Sequence, residues 1–158
     1  MSDKVIPALN DLIETSKDGE KGFALASKES KEPELVTLFS EGEQACRTAA
    51  GELQAQVRLL GGVPEDGGTM KASAHRGWIS IRSAMTSRDS VAILEECERG
   101  EDYAKARYVE TLKLELPEAV RSVVERQYQG VVANHDRMRD ARNRYRGSNS
   151  PRALRSNV

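Results

Sequence analysis

Apolar residues recur at spacings of three and four along most of this chain, which is the period of one face of an α-helix. Four segments show the pattern, and we predict helices A to D over residues 3–29, 33–60, 89–114 and 117–146. Pro33 suits the first turn of helix B, and Gly61 follows its end. The buried face of helix A is predicted to carry Val5, Leu9, Leu12, Ile13, Ser16, Glu20 and Phe23.

Part of the first half of the chain returns in the second half. Leu12-Ile13-Glu14 and Asp18-Gly19-Glu20 recur as Ile93-Leu94-Glu95 and Arg99-Gly100-Glu101, and each copy leads into a helix that opens on Pro-Glu. The repeat predicts a duplicated helical hairpin and therefore an all-α four-helix bundle. Glu20 and Glu101 then hold equivalent positions, each on a predicted buried face.

The connection between helices B and C is much longer than a tight turn. Residues 63–69 have the composition of a loop, and residues 70–87 show a shorter helical pattern that includes Trp78. A connection of about 27 residues exceeds what antiparallel neighbours need. We therefore predict that helices B and C run parallel, joined by a long crossover that contains a short helix.

Length and composition favour one helical domain with a charged extension. The chain has 158 residues, 31% of them charged and 4% aromatic, the usage expected of amphipathic helices. Residues 137–158 contain seven arginines and one acid, Asp140, although the whole chain carries a net charge of −1. We predict a bundle over residues 1–146 and a basic, disordered tail over residues 147–158. The tail is interpreted as a solubilising extension, because it lacks aromatic residues that would stack on bases.

The two cysteines, Cys46 and Cys97, lie in different predicted helices and have no Cys-x-x-Cys spacing. This arrangement predicts reduced, partly buried thiols and gives no support to a disulfide framework or a zinc site. The first residues do not resemble a signal peptide, and no apolar run approaches the ~20 residues that span a bilayer. A cytoplasmic location without membrane contact is the expectation.

Glutamates on core-facing positions of two helices are typical of carboxylate-bridged metal sites. The distance needed to pass down one helix and return on its partner leads from Glu20 to Glu52 and from Glu101 to His135. The candidate metal ligands are therefore Glu20, Glu52, Glu101 and His135, with iron or another divalent cation as the possible cofactor.

One feature argues against a working di-iron centre. Helices B and D lack the Glu-x-x-His spacing that places both ligands on one helix face, so the ligand set is small for two irons. A single-metal site and a degenerate site filled by hydrogen-bonded or protonated groups are both left open. No nucleophile can be matched with a base, and no phosphate-binding glycine loop is present, so catalytic residues are not predicted.

Several segments together resemble a known family: Asp18–Phe23, Ala74–Trp78, Leu94–Asp102 and Glu125–Gly130. The pattern is similar to mostly proteobacterial proteins that form a domain of unknown function among the ferritin-like four-helix bundles, and it covers residues 3–144. The resemblance implies a ferritin-like fold with hairpins A–B and C–D. The superfamily's metal ligands match at Glu20 and Glu101 and loosely at Glu52, whereas His135 is displaced from the usual Glu-x-x-His position.

Three functional hypotheses follow. The first is a non-enzymatic protein that acts by association, as a homo-oligomer, preferably a dimer, or with a partner, and that takes part in a stress response. The alternative is a metal-binding protein with a reduced or degenerate carboxylate site. A third has the arginine-rich C-terminus binding nucleic acid.

Overall fold

The computed structural model describes residues 3–67 and 89–148, which form four helices and no strand. Helix α1 is Val5–Glu29, α2 is Pro33–Leu59, α3 is Ser90–Leu112 and α4 is Glu118–Ser148. These bounds agree with the predicted helices A to D to within two residues, so the all-α four-helix prediction is confirmed. The predicted short helix within 70–87 and residues 149–158 of the predicted tail lie outside the described residues.

The helix ends follow from local chemistry. Pro33 occupies the first turn of α2, where its missing N–H leaves no hydrogen bond unmade. The Asp89 carboxylate caps α3 by accepting from the Val91 N–H at 3.0 Å. After α2 the backbone turns at Gly61, whose φ of +83° favours glycine.

Contacts between the helices give the topology. Helix α1 packs closely on α2, and α3 packs closely on α4. Arg107, late in α3, bonds Asp11, early in α1, at 2.6 Å, and early Glu34 of α2 accepts from late Tyr145 of α4 at 2.7 Å. Both of these helix pairs are therefore antiparallel. Because short connections also make α1–α2 and α3–α4 antiparallel, α2 and α3 run parallel, as predicted.

The apolar core is divided between the two ends of the bundle. Ile13 belongs to one end and its repeat equivalent Leu94 to the other, because α1 and α3 run in opposite directions. The Leu9 cluster comprises Val5, Leu9, Leu12, Ile13, Leu53, Val57, Tyr108, Val120 and Val124. The Phe23 cluster comprises Phe23, Ala26, Leu35, Phe39, Ile93, Leu94, Cys97, Met138 and Ala141.

Candidate functional site

A cavity of about 400 Å³ lies in the middle of the bundle, and residues from all four helices line it. On each helix the lining residues lie, in sequence, between those of the Leu9 and Phe23 clusters or at their borders. Most are small: they include Ser16, Gly19, Gly42, Ala45, Ala49, Gly100, Ala104 and Gly130. Short side chains in a layer between two well-filled ends leave the space unfilled.

The cavity reaches the surface between α2 and α4. Its lining includes exposed Thr48 on α2 and exposed Arg126 and Gly130 on α4. These two helices are the least closely packed of the neighbouring pairs. At the neighbouring interface α1 and α2 approach closely, since a Cβ added at Gly19 would lie 2.7 Å from the Cys46 Sγ. The cavity is therefore a pocket that opens to solvent between α2 and α4.

Glu101 is the buried carboxyl group of this cavity. The residue is 4% exposed, and burial raises its pKa from the ordinary 4.5 to about 8, while the Asn134 side-chain hydrogen bond and the charge of Arg137 act in the opposite direction. At neutral pH the carboxyl group is mainly protonated. Among the described residues, no lysine or arginine forms an ion pair with it.

A hydrogen-bonded chain runs from the cavity to the surface. The Tyr108 hydroxyl donates to the Gln127 Oε1 at 2.8 Å, and the Gln127 Nε2 donates to the Glu52 Oε1 at 3.1 Å and to the Ala49 carbonyl at 3.2 Å. Arg126 closes the chain with a bond of 2.6 Å to Glu52. Gln127 thus joins α2, α3 and α4 at the level of the cavity.

Glu52 lies at the edge of this chain and is held as an anion. The hydrogen bond from Arg126 is the largest cause of a lowered Glu52 pKa, and the bond from Gln127 acts in the same direction, against the effect of burial. Glu52 and Glu101 line the same cavity. Their environments therefore favour opposite protonation states.

The other glutamate of the repeat, Glu20, has a different environment from Glu101. Its carboxylate accepts from the Arg47 Nε at 3.0 Å and lies 3.8 Å from the Lys17 Nζ. It does not line the cavity. The two glutamates are equivalent in sequence, but Glu20 is partly exposed and paired, and Glu101 is buried and unpaired.

His135 faces a group of carboxylates away from the cavity. Its Nε2 lies 2.8 Å from the Asp102 Oδ1 and 3.7 Å from the Glu98 Oε1, and its Nδ1 lies 3.2 Å from the Asp136 Oδ1. Glu98 also forms a close ion pair with Arg142. His135 is thus engaged by α3 acids on one nitrogen and by its own neighbour on the other.

Four of the five arginines in the second half of α4 are paired with acids on neighbouring helices, and Arg139 is paired with Asp136 and Asp140 of α4 itself. Arg142 pairs with Glu98 and Arg146 with Glu95, both closely, and Arg137 lies 3.5 Å from Glu41. The excess positive charge seen in the sequence of this segment is therefore offset within the described bundle. Nucleic-acid binding by the C-terminus stays a prediction, and it depends on residues 149–158, outside the described ranges.

Comparison with known proteins gives a family. A domain of unknown function (DUF2383) matches residues 4–114, more than two thirds of the chain. The chain belongs to this family. The matched region includes the repeat and three of the four helices around the cavity, whereas α4 lies beyond it. No curated protein matches the chain.

The structure brings together two of the four predicted metal ligands of this family member. Glu52 and Glu101 share the cavity lining, and Glu20 and His135 do not. Over residues 3–67 and 89–148, no group of three or more His, Cys, Asp or Glu side chains is placed to hold a metal ion. The arrangement therefore does not fit a four-ligand centre, and metal binding at these residues stays a prediction.

Other residues of the site were not predicted from the sequence: Tyr108, Arg126, Gln127 and Asn134. Tyr108 follows Glu101 by seven residues, or two helical turns, and so shares its predicted buried face, and Gln127 lies within the Glu125–Gly130 segment. Both are therefore in positions that the pattern marks, although nothing in the spacing shows that they bond each other. Which side chains meet across two helices depends on how each helix is rotated about its own axis, and apolar periodicity does not determine that rotation closely enough.

Both cysteines are free thiols, as predicted. Burial is the main cause of a raised pKa for Cys46 and for Cys97, and the carboxyl group of Glu101 adds to both. Protonated thiols are poor nucleophiles.

No helix among the described residues is long and apolar enough to cross a membrane. The cytoplasmic location and the dimer stay predictions.

Proposed function

We propose that this protein is a non-enzymatic, ferritin-like bundle that acts by binding, and that its mid-bundle cavity holds a small organic ligand. The cavity itself carries the proposal: about 400 Å³ lined by all four helices and open to solvent between α2 and α4. This volume falls within the roughly 300–1,000 Å³ of small-molecule sites. The parallel α2 and α3, joined by a long crossover, support the ferritin-like relationship.

The small residues support binding over simple packing. An unfilled cavity costs a protein about 24 cal/mol for each Å³ in engineered cases, so a space of this size lowers stability unless a ligand or solvent fills it. The accessible surface of the walls is mainly apolar, and polar side chains such as Ser16, Glu101 and Gln127 are set into it, a combination typical of ligand pockets.

The state of the polar groups favours binding over catalysis. Tyr108, Gln127, Glu52 and Arg126 bond one another, which holds them in fixed positions. The one thiol that lines the cavity, Cys46, has a raised pKa. These groups are suited to orienting a ligand.

A cavity-filling variant with a matched control tests the proposal. Benzyl alcohol is titrated into ¹⁵N-labelled protein, and amide shift changes are expected to cluster at Gly19, Ala104 and Gly130. Ala104→Leu places a larger side chain in the cavity and is expected to weaken binding at least tenfold. Ala106→Leu, on the exposed face of the same helix, is expected to bind as the unmodified protein does. Saturable binding that Ala104→Leu leaves unchanged would refute the proposal.

Association in solution forms part of the proposal, as a homodimer that takes part in a stress response. Sedimentation velocity at micromolar concentration tests the oligomer. A strict monomer over the whole concentration range would remove the dimer and leave the cavity as the site of action.

A second candidate function is binding of a divalent cation such as iron. Its support is that Glu52 and Glu101, from α2 and α3, share the cavity lining. Hard divalent cations require several oxygen ligands. Glu52 would have to leave Arg126 before both carboxylates could serve one ion.

Elemental analysis separates this candidate from the first. Protein purified without chelator is compared with the double variant Glu52→Ala/Glu101→Ala and with Glu20→Ala, whose carboxylate lies outside the cavity. Stoichiometric metal that only the double variant loses would support the metal site. Negligible metal in all three proteins would rule it out.

A further inference from the structure

Of the three glutamates predicted as metal ligands, two are paired with an arginine side chain. Glu20 is paired with Arg47 at 3.0 Å, and Glu52 is paired with Arg126 at 2.6 Å. Glu101, the most buried of these three glutamates, has no such partner among the described residues. Two of the predicted metal ligands, Glu20 and Glu52, thus already have an arginine side chain as their counter-charge.

The surroundings of Glu101 add little positive charge. Arg137 acts on it electrostatically, but its guanidinium group is bound elsewhere, at 3.5 Å from the Glu41 carboxylate and 3.3 Å from the Asn134 Oδ1. Asp102 is the neighbouring acid that acts in the opposite direction. An ionised carboxylate buried without a partner is strongly disfavoured. Without a partner Glu101 is therefore mainly the neutral acid at pH 7, and a positive charge supplied within the cavity would favour its ionised form.

We propose that the cavity binds a small organic cation, an ammonium group on an apolar body, whose counter-charge is the Glu101 carboxylate. This inference rests on the proposed function, since it assumes that the cavity takes a ligand. The bound ammonium group takes the role that Arg47 has for Glu20 and Arg126 has for Glu52.

The lining suits such a ligand at both of its ends. An ammonium group has three donors, and the acceptors that line the cavity include the Glu101 carboxylate and the Ser16 hydroxyl. The apolar part of the ligand meets Ala45, Ala104 and Val131. The open side between α2 and α4 provides entry for a molecule of this size.

Other ligand charges are less compatible with the site. An anion would meet Glu101 and Glu52 and would find Arg126 already bound. A divalent cation requires several hard oxygens, and one carboxyl group in a mainly apolar wall supplies too few while Arg126 holds Glu52. A neutral ligand is accommodated but gains nothing from the Glu101 charge.

The test compares three probes of one shape and different charge. Benzylammonium, benzyl alcohol and benzoate are titrated by NMR at pH 7 into the full chain at moderate salt. Benzylammonium is expected to bind at least tenfold more tightly than benzyl alcohol, and benzoate more weakly than either. In Glu101→Gln the tenfold preference is expected to fall to about one. Glu125→Gln, which removes an exposed carboxylate of α4, is expected to keep it.

The outcomes separate this inference from the proposed function. Equal binding of benzylammonium and benzyl alcohol to the unmodified protein would overturn the cation inference and leave the ligand cavity intact. Absence of binding by both probes would overturn the proposed function, and the inference with it. A tenfold preference that persists in Glu101→Gln would also overturn the inference, because the charge would then lie elsewhere. The first two outcomes need no variant and do not depend on how Glu101→Gln folds.

Discussion

Glu101→Gln is expected to stabilise the protein at neutral pH, because it removes a buried acidic group and keeps the shape of the side chain. The folded-state pKa of Glu101 is about 8, against 4.5 for an ordinary glutamate. Between these values the unfolded chain has lost the proton that the folded chain retains, so stability falls as pH rises through this window. The raised pKa accounts for about 3 kcal/mol at pH 7 and about 5 kcal/mol above pH 8, at 1.36 kcal/mol per unit.

Urea unfolding followed by far-UV circular dichroism measures this effect. The free energy of unfolding is compared between Glu101→Gln and the unmodified protein at pH 5, 7 and 8.5. The difference is expected to be small at pH 5 and to grow by several kcal/mol at pH 8.5. Glu125→Gln, an exposed charge removed from α4, is expected to show no such growth. If the difference in the free energy of unfolding is the same at pH 5 and pH 8.5, the conclusion that Glu101 is buried and unpaired is wrong.

Further expectations concern the packing around the cavity and its edge. Gly19→Ala is expected to lower the free energy of unfolding by about 1–3 kcal/mol, because the new Cβ would lie 2.7 Å from the Cys46 Sγ. Gly51→Ala, in an open position of α2, is expected to raise it by about 0.5–1 kcal/mol. Chemical denaturation of both variants checks these signs, and equal effects would contradict the close approach. Arg126→Met is expected to raise the Glu52 pKa, since Arg126 is the main cause of its lowering. A ¹³C carboxyl titration with an unchanged Glu52 midpoint would show that this pair does not form in solution.

The sequence allowed the helices and their pairing to be predicted because both depend on local signals. Apolar periodicity marks each helix, proline and glycine mark the ends, and the length of the crossover decides that α2 and α3 run parallel. The site is harder to predict because it depends on which side chains meet. Glu20 and Glu101 occupy equivalent positions in the repeat, yet α2 supplies Arg47 to Glu20 and α4 supplies Asn134 to Glu101.

The same limit applies to charge. Four arginines late in α4 contribute to an unbalanced basic segment in the sequence, because their partners Glu34, Glu41, Glu95 and Glu98 lie far away in the chain. The pairing requires knowledge of helix rotation and of which helices are neighbours. The cavity is equally invisible to spacing, since small residues such as Ala49 and Ala104 are also normal helix formers.

The placement of Ile13 and Leu94 in opposite clusters bears on how the protein arose. At each end of the bundle, the open end of one hairpin, where its two helices begin and finish, packs against the loop end of the other hairpin. Neither hairpin alone would complete a core, whereas two identical hairpins related by a twofold rotation would complete both. The fold has the form that gene fusion would give to a symmetric hairpin dimer. With both copies in one chain each can differ from the other, as Glu20 and Glu101 do in their partners.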